Sequence, residues 1–356
     1  MKLAVLLSGF PRRSETFALN EVLALREAGC LAAVFATKGG EPGPRQPAAE
    51  ALMDTVHVLA PGTPEEQAAE VAARLEGEDV TAVHGYFAHL PAEVARTAAR
   101  RLGVPHGFSV HALDARRAGR DGLARRGRDA ACVVACNPDV AAEVRDAGVR
   151  VALIPHGVDL DRFPAAPPAP EDGTLRLLAV GRLVAKKGFD TLVDAVALAT
   201  APVHLRIVGA GPEHDALAER IAARGVQDRV ELAGTRTHDT LRAEYAAAHA
   251  VAVPCVQDAA GDRDGLPNVV LEAMASGRAI VASRIAAVGS AISDGDTGLL
   301  VTPGDPADLA RALDDLAAPA RPGGPARRRA RARVERDFDL RACTDRLRAH
   351  LETAYA

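Results

Sequence analysis

The stretch Asp264-Gly265-Leu266-Pro267-Asn268-Val269-Val270-Leu271-Glu272, continuing as Ala273-Met274-Ala275-Ser276-Gly277, sets two carboxylates eight residues apart. One stands in a glycine-containing loop, the other on the helix that the loop opens. Pro267 suits the first turn of a helix, where its missing N–H costs nothing. Leu271 and Met274 give the helix an apolar face, and Gly277 is its expected stop. The backbone N–H groups of Asn268 and Val269 should then point out of the helix N-terminus, a natural seat for an anion. An anion seat flanked by two hydroxyl-binding carboxylates fits a sugar nucleotide.

Outward from this stretch, short apolar runs alternate with helix-length segments. Leu3–Leu7, Ala32–Phe35, Thr55–Leu59, Ala82–His84, Gly107–Val110, Cys132–Ala135 and Val151–Ile154 read as buried strands. Glu65–Leu75 and Ala92–Leu102 read as helices between them. The Pro-rich segment Phe163–Gly173 reads as a semi-rigid linker. After it the alternation restarts, with strands over Leu175–Val180, Val203–Val208, Val230–Leu232, Ala250–Val253, Ala279–Ala282 and Leu299–Val301. Such alternation implies parallel sheets covered by helices on both faces. At 356 residues, two such domains are expected. The Arg-rich run from Arg327 to Arg336 reads as the solvated face of a helix, and Leu340–Leu351 as one more helix.

Composition excludes several classes. A net charge of −4, 25% charged residues, 3% aromatics and no Trp give no footing for a nucleic-acid binder. The five scattered cysteines do not form a disulfide framework and point to a reducing cytoplasm. Cys132 and Cys136 read as small core residues. No apolar run is long enough to span a membrane, and peripheral membrane contact stays open. Without a His-Glu-x-x-His or paired Cys-x-x-Cys pattern, no metal site is expected.

Several loops carry candidate chemistry. Gly181-Arg182-Leu183-Val184-Ala185-Lys186-Lys187-Gly188 follows a strand and places cations where open α/β sheets bind ligands. Gly209 and Gly211, in Val208-Gly209-Ala210-Gly211-Pro212, end the next strand and allow close approach of a ligand such as a base; Arg236 in Arg236-Thr237-His238 is a second candidate for that contact. His84, His89, His106, His111 and His156 gather at strand ends; His111, in Ser109-Val110-His111-Ala112-Leu113-Asp114, is the strongest candidate to act on a sugar. Gly9 opens a loop that can approach a ligand, and Ser14 suits the cap of the helix that follows. Asp262-Arg263-Asp264 mimics a metal-binding Asp-x-Asp, but the neighbouring cations can neutralise a diphosphate themselves.

In order along the chain, Pro155-His156-Gly157-Val158-Asp159, Gly181-Arg182-Leu183 through Lys187-Gly188, Val208 through Pro212, and Asp264 through Gly277 resemble the retaining glycosyltransferases of family 4. The opening Phe10-Pro11-Arg12-Arg13-Ser14-Glu15-Thr16-Phe17 is similar to the colanic-acid and exopolysaccharide branch. The resemblance implies a GT-B fold, two Rossmann-like doubly wound domains facing a central cleft. It implies an acceptor-side domain over 1–165, joined by a returning helix at 338–356, and a nucleotide-sugar domain over 174–335. It implies no cofactor, with a UDP- or GDP-sugar as co-substrate and a saccharide or natural-product hydroxyl as acceptor. By the same resemblance Arg182 and Lys187 hold the diphosphate, and Gly9, Leu266, Asn268 and Val269 are further candidates for that contact. Glu272 holds the ribose, and Asp264 and His111 face the transferred sugar. Where the family carries Glu, this chain has Asp264, one methylene shorter. A nucleotide-sugar epimerase and a non-catalytic transferase subunit are the competing readings.

Overall fold

The computed structural model describes the chain except residues 13–14, 42–46, 166, 168–171, 237 and 319–322. It forms two compact units. The first comprises Met1–Gly157 and Leu340–Ala356, the second Val158–Asp339. Ser14, Thr237 and much of the Pro-rich stretch 163–173 therefore lie outside the described residues, and with them the cap and linker expectations.

The first unit runs β1 (Leu3–Leu7), α1 (Thr16–Glu27), β2 (Leu31–Ala36), α2 (Pro47–Glu50), β3 (Val56–Val58), α3 (Pro64–Arg74), β4 (Ala82–Gly85), α4 (Leu90–Leu102), β5 (His106–Val110), α5 (Ala112–Gly127), β6 (Cys132–Ala135), α6 (Pro138–Asp146) and β7 (Ala152–Leu153). Its strands lie in the order β3-β2-β1-β4-β5-β6-β7, all parallel. The second unit runs β8 (Leu175–Val180), α7 (Phe189–Leu198), β9 (Val203–Val208), α8 (His214–Arg224), β10 (Val230–Leu232), α9 (His238–Ala247), β11 (Ala250–Val253), α10 (Asn268–Ala275), β12 (Ala279–Ser283), α11 (Val288–Ala291), β13 (Leu299–Val301), α12 (Pro306–Ala317) and α13 (Gly323–Asp337). Its order is β10-β9-β8-β11-β12-β13, again parallel. The last helix, α14 (Leu340–Ala354), belongs to the first unit. Each predicted strand is present.

The apolar runs are continuous because both faces of each sheet are covered. In β1, Leu3, Val5 and Leu7 enter a core shared with α1 and α14, while Ala4 and Leu6 enter a separate core beneath α3 and α4. In β8, Leu175, Leu177 and Ala179 pack beneath α7, α8 and α12, and Leu178 faces α9, α10 and α13. The period of two thus splits each strand between two layers.

Local signals set the helix ends. Thr63 and Glu66 form a reciprocal capping box at α3, with Pro64 in its first turn. At α10, Gly277 is left-handed (φ 67°); its N–H bonds Met274 O and the Arg278 N–H bonds Ala273 O, closing the helix at the expected stop. Helix α13 keeps Arg328, Arg329 and Arg336 exposed, as expected of a solvated face, while Arg331 and Arg333 are half-buried. Arg331 donates to the carbonyls of Phe163 and Ala275, and Arg333 to Ser290 O and Ser293 Oγ. Ala330 and Val334 beside them are buried against α10.

Candidate functional site

In an open α/β sheet the strand order reverses at one point, and the loops leaving the strands on either side of it diverge to leave a crevice. In the second unit that point lies between β8 and β11. The loop after β8 carries Arg182, Lys186 and Lys187, and the loop after β11 carries Asp262 and Asp264. The two loops touch at Gly188, whose φ of 65° and contact with Pro254 O leave no room for a side chain.

The charges meet there. Lys187 Nζ lies 2.5 Å from Asp264 Oδ2, and Lys186 Nζ lies 3.1 Å from Asp264 Oδ1 and 2.9 Å from Asp262 Oδ2. Burial pushes the Asp264 carboxyl up, but the two ammonium groups outweigh it and hold it at about 2. Burial likewise works against the charge on Lys187; Asp264 overcomes this and raises it. Arg182 is exposed beside them. Asp264 is therefore ionised at neutral pH and already neutralised by protein cations.

Helix α10 starts at Asn268, one residue later than expected, with Pro267 as its N-cap residue and no side-chain cap. In its first turn the Val270 N–H bonds Pro267 O at 3.0 Å. Leu266 and Val269 pack into the apolar core beneath. One turn on, Glu272 is buried, and Tyr245 Oη donates to its Oε2 at 2.7 Å. Burial pushes the Glu272 carboxyl up, against the pull of Tyr245 and of the Arg162 and Lys187 charges. Gly209 and Gly211 serve the packing of neighbouring loops: a Cβ on either would strike the Gly181–Leu183 backbone. Arg236 is exposed and pairs with Glu244 at 3.1 Å.

The first unit gathers a second cluster at the carboxyl edge of its sheet. His111 follows β5 and stands directly before α5, where Asp114 Oδ1 accepts its backbone N–H at 2.8 Å. The same carboxylate accepts from Ala88 N. Burial pushes Asp114 up to about 7. The His111 ring is boxed by Phe17, Tyr86, Phe87 and His156, with centroids 4.8–5.5 Å away. Burial first, then the neighbouring histidines, keep it well below the ordinary imidazole range. His156 is the opposite case. Glu21 Oε1 lies 2.6 Å from its Nδ1, and Glu21 together with the Cys136 sulfur overcomes burial and lifts it to about 10. Tyr86 Oη donates to the other oxygen of Glu21.

The other three candidate histidines make contacts within the fold. His84 is buried between Tyr355 Oη (2.7 Å) and Ser109 Oγ (2.9 Å), His89 stacks on Phe87, and His106 faces Asp129 at 4.0 Å. Gly9 sits at the end of β1, against Gly39 O and Lys38. The structure thus joins Lys187 with Asp264, and sets His111 beside His156, within separate units. Sequence reasoning missed Glu21, Tyr86, Tyr245 and Arg162. Each lies far along the chain from the group it holds, so no local spacing announces it.

Two doubly wound parallel units, one with a cation-and-carboxylate crevice at its switch point, define a fold of the GT-B glycosyltransferase class. HepE of Anabaena, solved in complex with UDP, has this fold, with a TM-score of 0.83 at 20% identity over 99% of each chain. The family described as Glycosyltransferase Family 4 matches residues 14–162, and that described as Glycosyl transferases group 1 matches residues 174–318. A GDP-mannose-dependent alpha-(1-6)-phosphatidylinositol monomannoside mannosyltransferase of Mycolicibacterium smegmatis is 32% identical over 279 residues, 72% of this chain and 73% of that protein. The lipopolysaccharide core biosynthesis glycosyltransferase LpsE of Rhizobium meliloti is 32% identical over 197 residues, 54% of this chain and 55% of that protein. The chain spans about half the length of the first curated relatives it matches. It belongs to glycosyltransferase family 4. Among the described residues, no helix is long and apolar enough to cross a membrane.

Proposed function

We propose that the chain transfers a sugar from a nucleotide diphosphate sugar to a hydroxyl of a saccharide or other small acceptor, with retention of configuration and without a metal ion. The observation that carries this reading is the contact of Lys186 and Lys187 with Asp264 at the β8/β11 switch point, beside the uncapped start of α10.

In this reading the donor diphosphate sits against Arg182, Lys187 and the first N–H groups of α10, near Asn268 and Val269. Glu272, held by Tyr245, takes the ribose hydroxyls, and Asp264 takes hydroxyls of the transferred sugar. His111 is assigned to the transferred sugar by the family resemblance. The anomeric carbon–oxygen bond breaks and its electron pair passes to the diphosphate. Preorganised cations and N–H dipoles stabilise that developing charge; one such contact is worth on the order of 10²–10³ in turnover. The acceptor oxygen forms its bond on the same face, and its proton passes to the departing diphosphate oxygen. A glycosyl ester trapped on Asp264 would overturn the same-face route.

The donor is a UDP- or GDP-sugar in this reading, because relatives and fold neighbours are named with each. A thermal-shift panel of nucleotide diphosphates and nucleotide sugars, with and without EDTA, tests it on the wild type and on Glu272→Ala. A ligand at 100 times its Kd adds about 2.7 kcal/mol of stability. Stabilisation by one nucleotide, insensitive to EDTA and lost in the variant, is expected. No response to any nucleotide would sink the proposal.

A further inference from the structure

We propose that His111, Cys136 and His156 form a binding site for a borderline-soft divalent cation, Zn2+ above all, with Glu21 as the outer carboxylate that orients His156. The three residues follow the carboxyl ends of β5, β6 and β7 in turn, so a parallel sheet with aligned carboxyl ends brings them together. One nitrogen of each ring and the Cys136 sulfur all lie within 4.8 Å of one another. A tetrahedral zinc site needs ligand atoms about 3.5 Å apart, with Zn–S near 2.3 Å and Zn–N near 2.0–2.1 Å, so small rotations of side chains close it.

Independent features point to a ligand rather than to a satisfied core. His111 is only 9% exposed, and neither of its ring nitrogens has a hydrogen-bond partner. His156 gives Nδ1 to Glu21, which leaves Nε2, buried near the Cys136 sulfur, as the coordinating atom. A carboxylate behind a ligating imidazole is the arrangement that fixes tautomer and ring orientation in zinc sites. Tyr86 in turn fixes Glu21, and Asn137 Nδ2 points at the Cys136 sulfur from 3.4 Å. Between Glu21, Ser109, His111, Cys136 and His156 lies a cavity of about 10 Å3, the room of a single water. Cys136 is partly exposed, which gives a cation a way in and leaves a fourth position for water. Ligation releases the proton of the Cys136 thiol and any proton held on His156.

Cobalt(II) titration of the reduced full chain tests the site. The expected result is one equivalent bound, with a near-ultraviolet thiolate-to-cobalt band and intense four-coordinate visible bands, all bleached by Zn2+. Cys136→Ser should lose the band, and Glu21→Gln should weaken binding about 10–100-fold. No thiolate band at excess cobalt, or a band that survives Cys136→Ser, overturns the site. X-ray absorption of the zinc-loaded wild type covers the case of a variant that misfolds. One sulfur and two imidazoles support the proposal, and an all-oxygen shell overturns it. Resting on the proposed function, a bound cation also takes His111 out of service, so Zn2+ should inhibit transfer by the wild type and not by Cys136→Ser. A band without inhibition upholds the site and overturns the role given to His111.

Discussion

Lys187 Nζ and Asp264 Oδ2 stand 2.5 Å apart, so the cation assigned to the diphosphate and the carboxylate assigned to the sugar are each other's partner before any donor arrives. On the proposed function, a diphosphate entering the crevice would compete with Asp264 for the same ammonium groups.

Asp264→Asn should therefore separate binding from turnover. Lys186 keeps Asp262, but leaving the Lys187 ammonium without its anion costs the ligand-free protein about 3 kcal/mol. A nucleotide diphosphate restores that charge, so it should bind at least as tightly as to the wild type while turnover falls on the order of 10²–10³. Calorimetric titration beside initial-rate kinetics checks this. Parallel loss of affinity and rate would show that Asp264 assists diphosphate binding instead of competing with it.

Glu272 illustrates the opposite balance. Its pKa is raised by burial, so the folded state holds the proton more tightly than the unfolded chain does. Its contribution is thus most favourable at low pH and declines as pH rises through the raised value. Glu272→Gln should leave the ligand-free protein at least as stable as the wild type at pH 8, yet abolish stabilisation by nucleotide. Tyr245→Phe removes one hydrogen bond to the carboxylate and should weaken nucleotide binding by a smaller step, about 1.5–3 kcal/mol. Melting curves of both variants with and without nucleotide decide the matter.

A purely structural ion cluster locks α7 to α8. Asp194 accepts two hydrogen bonds from Arg220 (2.8 and 2.7 Å) and two from Arg224 (2.8 and 3.0 Å). The bonds from Arg220, against burial and with help from Arg224, hold its carboxyl at about 2, below the ordinary 3.8. A lowered carboxyl contributes stability that is full above the unfolded value and lost as pH falls through the folded one. Arg224 is exposed and Arg220 half-exposed, so screening reduces the contribution to about 1 kcal/mol. Asp194→Asn should cost that amount at pH 7, with the gap to wild type closing between pH 4 and pH 2 in urea titrations.

His84 sets an acid limit on the first unit. Burial, then the charges of His106 and His350, lower its pKa from 6.5 to about 3. The folded state resists a proton that the unfolded chain accepts, so stability is full above 6.5 and falls as pH drops toward 3. The slope is up to about 1.4 kcal/mol per pH unit for this one group. His84→Gln should flatten that part of the curve. An unchanged slope would place the acid sensitivity elsewhere.

The sequence by itself determined the two parallel sheets, because a strand buried on both faces must be apolar throughout, as in Leu3–Leu7 and Leu175–Val180. It also determined the stop of α10 at Gly277, since the left-handed residue that closes a helix is a local demand. The pairing of Lys187 with Asp264 was not legible. Both residues stood out, but only the adjacency of β8 and β11 brings their loops within bonding distance. Tyr245 behind Glu272, Glu21 behind His156, and Cys136 beside His111 were decided by tertiary structure alone. In each case the partners sit on different elements, far apart in the chain, and strand order sets the distance between them. The arginines of α13 followed the same rule. Spacing gave them a solvated face, which Arg328, Arg329 and Arg336 keep, whereas packing turned Arg331 toward Phe163 O and Ala275 O and Arg333 toward Ser290 O and Ser293 Oγ.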